Sequence, residues 1–362
     1  MTVTRFFSLL LLLGSTQATF SQNLDSLLLK NYRPRSVYKI PVSKIEKAKF
    51  PVIDMHSHNS YAKSVDEIKA WIGLMDQYGI DKVVILTQST GARFDSIYKV
   101  YSPYLNRFEL WCGFDYTGYQ EPGWGAVAVK ELERCVKVGA RGVGELGDKG
   151  LGEVFSEPVP GYGMHPDDQR LQPLYQKCAE LKIPVSIHVA DPIWMYEPMD
   201  STNDGLMNGY KWRLDKHKTK PGFRGHEEMI KTLENVVRSN PKTTFIACHL
   251  ANSENDFSVL GRLLSTYSNL YTDLGAHLAE IATIPRAAAA FLEKYGDKVV
   301  YGTDYHPTKI EYEITFRILQ TADEHFYATE HFGYHWPLHG LNLSDSTLKK
   351  IYGGNALKIL KK

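Results

Sequence analysis

The sequence predicts a (β/α)8 barrel, the α/β fold in which eight parallel strands alternate with helices. Two observations carry the prediction. Eight short, β-branched or apolar runs are separated by stretches of helical period, and ligand-type polar residues stand at the ends of five of those runs. At 362 residues the chain suits one such barrel or two average domains, so the rhythm makes the choice, not the length.

The strand runs are residues 51–55, 82–87, 109–114, 141–146, 184–188, 244–249, 270–274 and 299–301. Between them, 64–78, 124–138, 166–181, 226–239, 253–267, 285–295 and 310–323 place apolar residues at helical spacing. Pro285 suits a helix first turn, and Gly79, Gly139 and Gly296 stand where left-handed caps are expected. Residues 23–48 are mixed and basic and read as an arm or short helix laid on the outside of the domain, leaving 49–362 as a single barrel. One connection breaks the rhythm. Residues 190–225 separate the fifth strand from its helix by far more than the usual two to six or so residues, and they carry Trp194, Tyr196, Trp212 and three methionines among Asp, Asn and Gly. Such a loop at a barrel mouth reads as a lid or substrate wall; the alternative is a subunit-contact arm, which would make the protein a homo-oligomer.

With 43% hydrophobic and 23% charged residues, the composition excludes a disordered or fibrous chain. The 42 basic and 41 acidic residues balance to +1, which excludes a sequence-independent electrostatic grip on nucleic acid or anionic lipid and leaves a small molecule as the expected partner. Residues 1–22 have one cation at Arg5, an apolar run at 6–13 and a small, polar tail, the layout of a cleavable export signal, so the mature protein is expected to be secreted or periplasmic. The run is well short of the ~20 apolar residues that a membrane span needs, so no span is expected. Cys112, Cys135, Cys178 and Cys248 show no CxxC spacing and read as buried free thiols.

The first run ends in Ile53-Asp54-Met55-His56-Ser57-His58. Strand residues two apart point the same way, so both imidazoles can aim at one point in the barrel mouth, although such a pair alone is equally a structural feature. The case rests on its company. Val143-Gly144-Glu145-Leu146, Ser186-Ile187-His188-Val189, Ala247-Cys248-His249-Leu250 and Tyr301-Gly302-Thr303-Asp304 end four further runs, at the strand edge where barrel enzymes keep their catalytic groups.

With these motifs in place the chain resembles the amidohydrolase superfamily, in particular its amidohydrolase-related branch of hydrolases, lactonases and decarboxylases. The matching segments are VIDMHSH (52–58), VSIHVADP (185–192), TFIACHLAN (244–252), VVYGTDYHP (299–307) and IYGGNALKIL (351–360), in the family's order. The resemblance implies that His56, His58, His188 and Asp304 are metal ligands, with His249 at the site as ligand or catalytic residue. Glu145 resembles the metal-binding carboxylate of related deoxyribonuclease-like hydrolases; its alternative is an ion pair with Arg141 or Lys149.

Neutral imidazoles and carboxylates suit a divalent metal, zinc before manganese, with a position left for water whose pKa would fall from about 15.7 toward ~7. Asp304 is placed to take that water's proton, and His249 to polarise a carbonyl oxygen. Trp194 and Trp212 are read as pocket walls, Arg224 and Lys211 as partners for an anionic substrate, and His306 as a pocket residue or a helix cap. His217 and His226 are read as solvated, and His325, His331, His335 and His339 as surface or wall residues. Asp191 either contacts substrate or starts the turn into the insertion. The function expected is hydrolysis of a lactone, ester or amide; decarboxylation by the same type of site is the alternative, and a non-catalytic carbohydrate-binding protein the bland one.

Overall fold

A computed structural model describes residues 24–152, 158–209, 214–332 and 335–361; residues 1–22, expected to be an export signal, and Lys211 and Trp212 lie outside the described residues. Met1–Arg33 make one compact unit, in whose described part lie two single-turn 3-10 helices, Leu24–Ser26 and Leu29–Asn31. Pro34–Lys362 make the other, which carries every strand found among the described residues.

The eight predicted runs are all strands: β1 (Val52–Ser57), β2 (Ile80–Leu86), β3 (Phe108–Trp111), β4 (Val143–Leu146), β5 (Val185–Ile187), β6 (Phe245–Ala247), β7 (Leu270–Asp273) and β8 (Val299–Val300). Every neighbouring pair is parallel, in two sheets of order β1-β2-β3 and β4-β5-β6-β7-β8. Backbone contacts cross both gaps between them. Cys112 bridges Val143 beside β3 and β4, and at the other gap Met55 N–H donates to Tyr301 O and Asp304 N–H to His56 O, both at 2.9 Å. Strands flanked on both faces must be apolar throughout, which is why β2 reads IDKVVIL with its last four residues buried and why β1 and β4 to β6 are buried along their whole length.

A helix follows each strand: α1 (Val65–Tyr78), α2 (Gly91–Tyr101), α3 (Trp124–Val138), α4 (Gln172–Leu181), α5 (His226–Ser239), α6 (Phe257–Thr266), α7 (Pro285–Tyr295) and α8 (Lys309–Gln320). Local chemistry sets their ends. Ser64 and Glu67 form a capping box at the start of α1, Gly79 ends it at φ 78°, and Pro285 occupies the first turn of α7. Three expectations need correction. The helical reading of 166–181 holds only from Gln172, after a 3-10 turn that Asp168 caps. Gly296 is right-handed (φ −55°) and opens a 3-10 turn into β8, its carbonyl taken by Asn355 Nδ2 at 2.6 Å. Helix α2 was not expected at all, although it buries Phe94 and Tyr101 on one face.

Side chains tie the strand ends together. The buried Asp54 of β1 accepts from Thr303 N (3.1 Å) and Oγ1 (2.7 Å) beyond β8, and from His56 N (3.1 Å). The arm at 34–48 is held to α8's far end, where Ser43 N and Oγ donate to Asp323. Among the described residues no helix is long and apolar enough to cross a membrane.

The loops after β3 and β4 are joined by Tyr116, whose hydroxyl donates to the buried Asp148 at 2.5 Å. Burial pushes Asp148 up from 3.8 to about 7, against the pull of that hydrogen bond. The folded pKa therefore exceeds the unfolded one, so the group's contribution to stability is present below pH ~4 and lost as pH rises toward 7. Asp148→Asn keeps an acceptor for Tyr116 and removes the titration. Across that window the wild type should lose stability relative to Asp148→Asn, at no more than about 1.4 kcal/mol per pH unit. Urea midpoints measured from pH 4 to 8 check this; parallel profiles for the two proteins would refute it.

Candidate metal centre

The predicted ligand residues meet at the carboxyl end of the strands. His56 lies in β1 and His58 just beyond it, Glu145 lies in β4, and His188, His249 and Asp304 follow β5, β6 and β8. The backbone there is bent sharply. Gln88 (φ 58°), Ala190 (57°), His249 (59°), Leu250 (50°), Ala251 (55°), Asn252 (51°), Ala276 (54°) and Asp304 (56°) are all left-handed without being glycine, and all follow strands. Each costs about 1–2 kcal/mol, so the surrounding packing must hold them there.

The ring hydrogen bonds fix which nitrogens look inward. His58 Nδ1 donates to Leu86 O at 2.9 Å and His249 Nδ1 to Gly275 O at 2.8 Å. A carbonyl oxygen only accepts, so in both rings Nδ1 carries a proton and Nε2 is the nitrogen turned inward, where a metal would take its lone pair. His56 follows the same pattern, with Nδ1 donating to Asp273 Oδ2 at 3.0 Å. Asp273 is itself held by His249 N and Gly275 N, each at 2.9 Å.

Three inward Nε2 atoms therefore face two carboxylates. Glu145 Oε2 lies 3.7 Å from His56 Nε2 and 3.5 Å from His58 Nε2, and its Oε1 lies 3.1 Å from His249 Nε2. Asp304 Oδ1 lies 3.1 Å from His58 Nε2 and 3.6 Å from His56 Nε2. His56 Nε2 is buried and has no hydrogen-bond partner. Burial pushes Glu145 up, but the imidazoles of His56 and His188 outweigh it and hold the carboxyl well below its usual range. Burial likewise pulls His56 down, while Asp273 and Asp304 outweigh it and hold the ring well above. Buried lone pairs and carboxylates aimed at one point need a cation or protons among them. A set of three nitrogens and two carboxylates fits zinc or manganese.

His188 stands differently from the expectation. Lys149 Nζ can only donate, so at 3.2 Å it takes the lone pair of His188 Nε2, and Nδ1–H donates to Glu145 Oε1 at 2.8 Å. In this arrangement the ring supports Glu145 and turns its lone pair away from the centre. Lys149 is also bound to both oxygens of Asp191 at 2.8 Å, so it is Asp191, not Glu145, that pairs with it. Asp304 is the more open carboxylate, its side chain 21% exposed against 4% for Glu145. Tyr61 donates to the Asp304 carbonyl oxygen at 3.0 Å, and its ring meets His306 at 5.3 Å. Thr308, not His306, caps α8.

In the insertion, the Trp194 ring is packed so tightly that a Cβ on Gly205 or Gly209 would fall 2.3 or 1.8 Å from it, which makes Trp194 an internal anchor of that loop. Arg224 is drawn to Asp167 Oδ1 at 3.3 Å. The insertion is tied to the histidine-rich segment: Trp336 Nε1 donates to Asp204 O and His335 N to Asn208 Oδ1, both at 3.2 Å. His226, read as solvated, is buried with Nε2 2.7 Å from Asn252 O, because α5 begins against the turn that follows His249. The four cysteines are buried free thiols as expected, and Cys248 lies in the ligand group with His56, Glu145 and His249. Sequence reasoning missed Asp273, although it ends β7 just as the expected ligands stand at the ends of their strands.

The profile of the amidohydrolase family matches residues 49–362. No curated protein matches significantly. Among solved structures, a TIM-barrel protein of Bordetella bronchiseptica is similar at 14% identity and a TM-score of 0.51, over 86% of this chain and 99% of that one. A Staphylococcus aureus protein named for the amidohydrolases gives 15% identity and 0.53, over 86% and 100%. The 5-carboxyvanillate decarboxylase of Novosphingobium aromaticivorans, solved with manganese and a nitrobenzoic acid, gives 15% and 0.50, over 88% and 99%. At these identities the likeness speaks for the fold, a TIM barrel.

Asp273 gives the sharpest test of the centre without touching an inward-facing atom. Asp273→Asn weakens the acceptor that orients His56, and divalent-metal affinity should fall about 10- to 100-fold with the fold intact. Chelator competition measures it; unchanged affinity would remove His56 from the ligand set.

Proposed function

The chain belongs to the amidohydrolase family, and from that premise we propose that it is an exported metal-dependent hydrolase of a small polar lactone, ester or amide. The observation that carries the reading is His56 Nε2, buried and without a hydrogen bond, facing two carboxylates and flanked by the inward Nε2 atoms of His58 and His249. Its family is metal-dependent, and a divalent cation held by His56, His58, His249, Glu145 and Asp304 supplies Lewis acidity toward a carbonyl oxygen and toward water. His249 belongs with the ligands in this reading, since its Nδ1 is engaged by Gly275 O and its Nε2 is turned to Glu145 Oε1 at 3.1 Å, inside the centre.

Asp304 does the proton work. It is the carboxylate that opens toward the barrel mouth, so it accepts a proton from the attacking water and returns it to the leaving group. The Tyr61 hydroxyl, whose pKa burial pushes up, stays protonated and pins the Asp304 backbone through its carbonyl. Glu145, gripped by His188 and deeper in the barrel, holds position and charge. Tyr61, bound to Asp304, stands beside the reacting group with the His306 ring against its own.

A screen of lactones, esters, amides and aromatic carboxylates, following acid release and CO2 release in parallel, tests the reading. Acid release is expected, and Asp304→Asn should lower kcat about 10²- to 10⁴-fold. CO2 release without acid release would make the protein a decarboxylase instead. Replacing His56 and His58 by alanine should abolish turnover and release the ion held at this centre; a metal stoichiometry equal to the wild type's in that variant would sink the site.

A further inference from the structure

A second group of ligand-type atoms lies behind the first. Glu254 is on the loop that leaves β6, while His277 and Glu280 follow β7, Glu280 in the short helix Leu278–Ile281. His277 Nδ1 and one oxygen from each glutamate lie within 4.8 Å of one another. The nitrogen is 3.2 Å from Glu254 Oε2 and 2.5 Å from Glu280 Oε2, and the three side chains are only 5%, 10% and 5% exposed.

These distances would suit an imidazolium clamped by two carboxylates, but the directions do not. Neither His277 Nδ1 nor Glu254 Oε2 makes a hydrogen bond, because the oxygens lie off the axis of a ring N–H. A protonated nitrogen at such distances would aim its hydrogen at an oxygen; a nitrogen that offers its lone pair to a cation leaves the oxygens to either side. With metal–ligand bonds of about 2.0–2.1 Å at tetrahedral angles, neighbouring ligand atoms sit about 3.3 Å apart, close to the 3.2 Å between His277 and Glu254, while Glu280 Oε2 at 2.5 Å would draw back to join them.

We propose that Glu254, His277 and Glu280 form a second divalent-cation site, for zinc or manganese, separate from the centre around His56. Its one nitrogen and two carboxylates suit either ion. The site is not remote from the first, for the His277 ring stacks on His249 at 5.5 Å and 29°. An ion there would fix the ring against which His249 rests, and so steady a member of the principal set.

Titrating the metal-free, full-length protein with zinc alone and counting bound ions by elemental analysis tests the site. The variant with Glu254→Gln and Glu280→Gln should hold one equivalent fewer than the wild type; equal stoichiometry overturns the proposal. His56→Ala with His58→Ala reports the other centre separately, since loss of an ion there leaves the second site's equivalent in place. Should the glutamine variant not fold, the ¹⁵N spectrum of His277 in the wild type decides. Zinc should move the Nδ1 resonance to that of a metal-bound nitrogen, and a ring that stays protonated on both nitrogens at saturating zinc overturns the site.

Discussion

Three imidazoles in the barrel mouth each give up one ring proton to a fixed acceptor: His56 to Asp273, His58 to the carbonyl of Leu86, His249 to that of Gly275. Most of what is particular about this chain follows from that arrangement. A ring anchored at one nitrogen has little freedom at the other, so the inward lone pairs are aimed by the strands themselves. The acceptors come from β2, β7 and the loop beyond β7, so the orientation of each histidine depends on its neighbours being in register. Asp273 shows the economy of the design: one carboxylate holds the His56 ring and two backbone amides, joining β1 to the turns after β6 and β7.

The same turns explain where the fold tolerates strain. Left-handed backbone at Gln88, Ala190, His249 to Asn252, Ala276 and Asp304 is concentrated just past the strand ends, whereas the helices around the barrel end in ordinary caps such as Gly79. The strands are short and buried, and a chain leaving them must turn at once if its side chain is to stay over the barrel axis. His249 and Asp304 are themselves left-handed, so the strain falls on residues whose side chains meet at the candidate centre.

Much of this was legible in the sequence. Parallel strands in a barrel are apolar along their whole length, so a polar residue at the end of one stands out, and that contrast located His56, His58, Glu145, His188, His249 and Asp304 before any coordinates. The contrast fails where polarity is ordinary. Asp273 sat in a threonine-aspartate pair that reads as a strand ending in a turn, and Glu254 sat inside a stretch of helical period. Helix α2 was hidden by the Gly, Arg, Asp and Ser that share its eleven residues. Orientation was beyond reach altogether: that His188 turns its lone pair to Lys149, and that Lys149 prefers Asp191 to Glu145, follows from side-chain angles that no spacing encodes. Trp194 was recognised as important for its aromatic face, yet its packing on Gly205 and Gly209 gives that face an internal task.

Asp54 belongs to the first strand and reaches across to Thr303 beyond the last, while His56 and Asp304 bring the two ends of the barrel to one point. Nearly 250 residues of chain lie between those two partners, as their numbering shows. The centre therefore has no local precursor: a growing or partly folded chain that has made only its first half holds two histidines and one glutamate, and gains its remaining donors only as the final strands arrive. Maturation of the site and completion of the fold are one event, and a bound ion would act as a clasp that reports the barrel whole.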